Sequence, residues 1–379
     1  MKKLLSLLLA VVMVLSMAAC GQEVPVGTTA AAADPSEAID PSQAPDPSEA
    51  PTVREFTDSC GRTLTVPMEI KTIAISGPLT QVYILPLAGD MLVGVSSRFA
   101  EGSDKYLPAD VFNKTEIGQL YGGKGEMDLE ALLSAAPDVV IDVGEAKKTI
   151  VEDLDGLTSQ TGIPFLHIDA TVATAPAAYR LLGDLLGREE KAEELAVYCQ
   201  GILDEINAMM EKVDADGARK SMLYCLGDAG VNVIAEGSFH AETVNTMSRN
   251  VAVLEEVVSR GSGNEVDLEQ ILVWDPDVIV FAPDSIYDTV ATLDAWKGVR
   301  AIADGSFYEV PNGPYGWLSS PPSVQRYLGL LWLGELLYPD YVTYDLQEEV
   351  TEYYKLFYGC DLTDEMYQEL VVNALPKAE

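Results

Sequence analysis

"DLEALLSAAPDVVI" (residues 128–141) and "DLEQILVWDPDVIV" (residues 267–280) agree at seven of fourteen positions. Each opens on an Asp suited to cap a helix and continues with a short apolar stripe. Each then meets a Pro that stops the helix and ends in a β-branched run that reads as a buried strand. Glu126 and Glu265, just upstream, also match. One chain thus carries the same helix-to-strand unit twice, and the sequence around each copy predicts one lobe.

Working outward, the residues before the first copy give short strands and a helix. "TLTV" (residues 63–66) alternates after a Gly and suits an edge strand, while "KTIAIS" (71–76) and "LVGVS" (92–96) suit buried strands. Between the latter two, "LTQVYILPLAG" suits a short helix that Gly89 ends. "GIPFLHID" after the first copy is a further strand. Strands alternating with helices at this spacing imply parallel βαβ units. From residue 189 to 213, Ala192, Leu195, Ala196, Cys199, Ile202, Leu203, Ile206, Met209 and Val213 recur at three- and four-residue steps. That single stripe predicts one helix of roughly 38 Å, long enough to link two lobes. Then the pattern restarts: "SMLYCLG", the second copy, "GSFYEVP", an apolar helix in "PPSVQRYLGLLWLGELLYP" and amphipathic helices at the end. The fold expected is α/β: two Rossmann-like lobes joined by a single long helix, with a ligand cleft between them. The expected divisions are 1–20 (signal), 21–52 (tether), 53–172 (first lobe), 173–217 (linking helix region), 218–340 (second lobe) and 341–379 (C-terminal helices).

The chain has 60 acidic and 24 basic residues, a net charge of −36, which argues against nucleic acid or an anionic membrane surface as partner. Lys2 and Lys3 precede an apolar run that ends in Ala18-Ala19-Cys20-Gly21. This reads as a secretory signal rather than a membrane span, and Cys20 resembles the acylated Cys of a bacterial lipobox, with Met17 where Leu is usual. Residues 21–52, with Asp-Pro-Ser three times and few large apolar side chains, read as a tether. Cys199 and Cys225 read as buried thiols. Cys60 and Cys360 lie in turn-like segments, where an exported protein permits a bridge without requiring one.

In a parallel sheet, the start of each repeated helix lies at the carboxyl end of the following strand, where open α/β sheets bind ligands. Glu130 and Glu269 stand in those first helical turns. Either one also simply complements its helix dipole; the same residue at the same register in both lobes favours a paired surface role equally.

Beyond the repeat, "DSCGRTLTVPMEIKTIAIS", the long linking helix and "VPNGPYGWLSSPPSVQRYLGLLWLGELLYP" occur in an order that resembles the class III solute-binding lipoproteins of ABC importers, from about residue 56 to 339. The resemblance implies an extracytoplasmic, lipid-anchored monomer that clasps a ferric siderophore, haem or corrinoid between its lobes. It also implies delivery to an ABC permease with its ATPase, with Glu130 and Glu269 pairing with permease arginines. Molybdate or tungstate is the second ligand class that the resemblance allows, and a lipid-anchored enzyme on a related scaffold is a third, weaker reading.

Candidate ligand contacts fall on loops after strands. Tyr121, Phe239, Tyr315 and Trp317 suit stacking on a flat ring or chelate, and each also suits covering core. Arg98 and Lys124 suit a carboxylate or oxyanion, and His240 lies in a loop that suits the cleft, while His167 sits in an apolar strand. Two histidines are too few for a bare zinc or manganese site between lobes. No nucleophile elbow, Walker loop or dinucleotide fingerprint is present. No catalytic residue, cofactor or protein-held metal is expected.

Overall fold

The computed structural model describes residues 51–120, 127–283 and 285–377. The signal segment, Cys20, the tether up to residue 50, Tyr121, Lys124 and Glu126 lie outside them. β1 (Val53–Thr57) and β2 (Thr63–Pro67) pair as an antiparallel hairpin. Then come β3 (Ile73–Ile75), α1 (Pro78–Ala88), α2 (Ala109–Phe112), α3 (Leu129–Ala135), β4 (Val139–Gly144), α4 (Ile150–Thr161) and β5 (Phe165–Asp169). β3, β4 and β5 form a parallel sheet with β4 in the middle.

α5 (Ala175–Leu186) and α6 (Glu189–Ala215) follow. They pack so closely that a methyl at Gly183 would come within 2.4 Å of the Ala192 side chain. All nine stripe positions of α6 are buried. α6 is thus the single long helix expected, and it packs on α5 across a turn at left-handed Gly187.

The second half holds β6 (Ser221–Leu226), β7 (Asn232–Val233), α7 (Glu242–Met247), β8 (Arg249–Asn250), β9 (Asn264–Glu265), α8 (Leu268–Trp274) and β10 (Val278–Phe281). α9 (Tyr287–Val290), α10 (Arg300–Ala303), β11 (Phe307–Glu309), α11 (Arg326–Leu337), α12 (Leu346–Tyr358) and α13 (Asp364–Val371) complete it. This sheet runs β11-β10-β6-β7-β9, with β8 beside β6. β6, β10 and β11 are parallel, and β7 runs against its neighbours. β10 lies between β6 and β11 as β4 lies between β3 and β5. The two repeats thus each supply a strand flanked on both sides by parallel neighbours, in two separate sheets of a two-lobed α/β fold.

The copies agree in detail. Each helix spans seven residues and buries its fourth, Leu132 or Ile271. The next residue in each is left-handed, Ala136 at φ 46° and Asp275 at φ 43°. A following proline disfavours right-handed helix there, so the chain turns sharply into its strand. The Asp after each proline then latches that strand to its neighbour. The Asp138 carboxylate accepts from the backbone N–H groups of Lys71 (2.7 Å) and Thr72 (2.9 Å). The Asp277 carboxylate accepts from the Ser221 N–H (2.9 Å) and hydroxyl (2.7 Å).

One expectation changes, and the cysteine pairing left open by the sequence is answered. Residues 92–96 do not form a strand; only isolated bridges remain, Leu92 with Ile73 and Val95 with Glu116. After Leu92 the chain leaves the sheet edge, and Gly94 runs so close to the Thr115 carbonyl that a side chain would strike it at 2.6 Å. Cys60 and Cys360 form no bridge, and the four described cysteines are free. Cys60 packs beside Ile163 on a small core, whereas Cys360 lies 3.7 Å from the Lys105 carbonyl. Among the described residues no helix is long and apolar enough to cross a membrane.

Candidate functional site

At the carboxyl ends of β3, β4 and β5 the first lobe gathers buried polar groups. The Ser76 hydroxyl donates to the Asp142 carboxylate. It therefore accepts from the Thr80 hydroxyl at 2.9 Å, since its one proton is already used. Thr80 in turn accepts from the Val143 N–H. The other Asp142 oxygen meets His167 Nδ1 at 2.7 Å. His167 is wholly buried, so it holds the strand ends rather than a ligand.

Across the junction, Gln81 Nε2 at the start of α1 donates to the Tyr315 hydroxyl at 3.0 Å. Its carbonyl oxygen accepts from the Ser96 N–H and hydroxyl. The Tyr315 ring lies 6.4 Å from that of Phe99. Burial pushes the Tyr315 phenol up, so it stays neutral and hydrogen-bonding at ordinary pH.

In the second lobe Phe239 and His240 open a tight turn before α7. The Phe239 ring covers the Arg326 guanidinium at 4.8 Å. Arg326 is wholly buried, and a charge so placed needs partners. It meets Glu242 at 2.8 Å and donates to the Ser323 and Phe239 carbonyls. Glu242 also accepts from the Val172 N–H, and the Tyr327 hydroxyl donates to the Val172 carbonyl. Burial pushes the Tyr83 phenol of α1 up, and nearby Arg326 only partly offsets it. The ion pair therefore ties α7 and α11 to the first half of the chain. Burial, aided by Arg326, lowers the His240 imidazole to about 4, so it is neutral at physiological pH.

The sequence-derived candidates divide. Tyr315 meets Gln81 of the first lobe, while Phe239 covers Arg326 with His240 beside it. Trp317 does not serve as a stacking surface: it is wholly buried. Its segment packs on α11, where a side chain at Gly329 would strike the Trp317 carbonyl at 2.4 Å. The Arg98 side chain is 90% exposed and lies 3.7 Å from Glu116, away from the buried cluster. Glu130 and Glu269 are exposed at the second position of α3 and α8, one on each lobe. Tyr121 and Lys124 fall outside the described residues.

Sequence reading missed Glu242 and Arg326, and it offered the strand-end loop 76–81 as a ligand contact without giving Gln81 a role. The signal for Arg326 was present: an arginine opening the largely apolar run of α11. Among the described residues no group of three or more His, Cys, Asp or Glu side chains could hold a metal ion. Two concavities, of about 280 Å³ beside Lys191 and Lys355 and about 230 Å³ beside Asn312 and Asn373, involve none of the candidate ligand contacts.

Comparisons with known proteins agree with this architecture. The family described as "Periplasmic binding protein" matches residues 91–314. An ABC transporter solute-binding protein from Sulfurospirillum deleyianum has a similar structure, with TM-score 0.77 and 28% identity, covering 84% of this chain and 98% of that one. The molybdate-binding protein MolA of Haemophilus influenzae is 21% identical over 80% of this chain and 91% of its own. The Fe(3+)-citrate-binding protein YfmC of Bacillus subtilis is 22% identical over 62% of this chain and 74% of its own.

Proposed function

This chain belongs to the periplasmic binding protein family, and from that premise we propose that it captures a metal chelate outside the cytoplasm and delivers it to an ABC permease. The cargo class we infer is a ferric siderophore, haem or corrinoid, and Cys20 is the proposed lipid anchor. Glu130 and Glu269 are the proposed docking residues. The family consists of solute-binding proteins rather than enzymes, so no chemistry is asked of the site.

The observation that carries the cargo class is the state of the two histidines. His167 is committed to Asp142 inside the strand ends, which leaves His240 as the one imidazole at the junction. A bare divalent cation calls for several imidazoles with a carboxylate. A metal already wrapped in an organic ligand needs none, and suits half-buried aromatic side chains such as Phe99 and Tyr315, whose rings lie 6.4 Å apart.

Molybdate or tungstate is the second reading, favoured by the likeness to MolA. Against it, the charge of the buried Arg326 is already paired with Glu242, which leaves only its Nη2 without a hydrogen bond among the described residues. A thermal-shift screen decides between them. Haem, cobalamin and a set of ferric siderophores, with molybdate and tungstate alongside, are added to the protein. Binding to the folded form raises the melting temperature by mass action. A rise with one of the complexed metals is expected; a rise with molybdate or tungstate alone would replace the lead reading with the second.

A further inference from the structure

The two repeats do more than share a backbone; they show solvent the same face. From residue 128 to 138 and from 267 to 277, each position is buried, half-buried or exposed alike in both copies. The exposed side of such a short helix would ordinarily be polar. Here it carries Leu133, 49% exposed, in the first lobe, and Leu272, 41% exposed, with Val273, 77% exposed, in the second. Residues three and four apart on a helix are neighbours on its surface. Leu133 and Ser134 therefore lie one turn from Glu130, and Leu272 and Val273 one turn from Glu269.

Each lobe thus presents an acid with an apolar neighbour, at matched positions. Scattered exposed apolar residues are common, but recurrence at one register beside the same acid in both lobes is not scatter. An exposed carboxylate speeds encounter with a basic partner more than it holds that partner. Holding depends on the dissociation rate, which apolar area removed from water can slow.

We propose that Leu133 in the first lobe, and Leu272 with Val273 in the second, form the apolar half of the permease-docking surface. The inference rests on the importer reading above and names its partner: an ABC permease offering, to each lobe, a basic side chain beside apolar surface. Docking is unequal. The second lobe holds more tightly, because Val273 stands where the first lobe has Ser134.

The test titrates the full chain onto its cognate permease–ATPase complex, held in nanodiscs, at low and high salt. Leu272→Asn/Val273→Asn should weaken binding roughly tenfold through faster dissociation, with the salt dependence unchanged. Leu133→Asn should weaken it less. Val273→Ser, which copies the first lobe, should fall between wild type and the double variant. Glu130→Ala/Glu269→Ala should instead slow association and flatten the salt dependence. All these side chains are exposed, so melting temperatures should stay near wild type, and Val273→Ser serves where the double variant does not fold.

Wild-type binding by Leu272→Asn/Val273→Asn, with binding lost in the paired Glu variant, would overturn this inference and leave the docking reading standing. Wild-type binding by the paired Glu variant would overturn the docking reading itself. An equal loss from Leu133→Asn would overturn the inequality.

Discussion

The first repeat, residues 128–138, and the second, residues 267–277, follow the same backbone but are braced differently. In the first, the Asp128 side chain caps α3 by accepting from the Ala131 N–H at 2.9 Å, and left-handed Ala136 has no polar side chain to brace. In the second, Asp267 makes no such bond, while Arg300 reaches both Asp275 and Asp277. Contacts that hold helix to strand are alike in the two copies, whereas contacts facing solvent have diverged. Register is set from inside, by the buried fourth residue, the proline and the Asp latch. Variation is tolerated where water replaces a lost partner.

The latches should break the likeness most. Ser221, whose N–H and hydroxyl both donate to Asp277, is buried, whereas Thr72 beside Asp138 is half-buried and Lys71 is exposed. A buried donor left without an acceptor costs about 1–3 kcal/mol. Asp277→Ala should therefore destabilise by about 3 kcal/mol and Asp138→Ala by about 1–2 kcal/mol. Denaturant midpoints at constant slope measure both. Equal losses would mean that burial of the donors does not set the penalty. Burial pushes the Asp277 carboxyl up, but Ser221 and Arg300 together bring it below the ordinary range. Its contribution is thus present at neutral pH and is lost on acidification through the carboxylate range.

The histidines, one in a strand of the first lobe and one in the turn before α7, sharpen the contrast. His167 Nδ1 meets a carboxylate, while His240 Nδ1 finds no partner among the described residues and lies near Arg326. With the folded His240 lowered to about 4, the unfolded chain binds the proton first as pH falls. Stability should therefore drop by about 2 kcal/mol between about pH 7 and pH 5 on this account. His240→Gln should remove that part of the slope, read as the difference between wild-type and variant unfolding free energies at the two pH values. An unchanged slope would show that the imidazole is not held neutral.

The lobes, the repeated strands and the linking helix were legible because each depends on local periodicity and punctuation. Asp128, the stripe of α3 and Pro137 stand together in the sequence and act together in the fold. The junction was less legible. Gln81 meets Tyr315, and Arg326 meets Glu242, only after both lobes and the C-terminal helices have packed, and no spacing encodes such a pairing. Trp317 shows the reverse error: an aromatic in a Gly- and Pro-rich loop resembles a ligand platform, yet packing on α11 buries it. The same uncertainty kept Glu130 and Glu269 balanced between helix-dipole and docking roles, since both predict an exposed acid in the first turn.

The smallest expected difference concerns the caps. Both copies begin with Asp, and sequence alone gives the two equal weight as helix starts. In α3 the carboxylate satisfies the N–H of the third helical residue; in α8 the Asp267 side chain makes no cap bond, and that end relies on Glu269 in its first turn. Replacing a bonded cap with Ala costs about 1 kcal/mol, so Asp128→Ala should destabilise by that much. Asp267→Ala removes only a charge near a helix N-terminus, an effect of about 0.3–1 kcal/mol that salt screens. The two variants should therefore separate most clearly at high salt, where the loss at Asp267 fades and the loss at Asp128 persists. If both losses fade together, Asp128 acts through its charge rather than its hydrogen bond, and the two helix starts are equivalent after all.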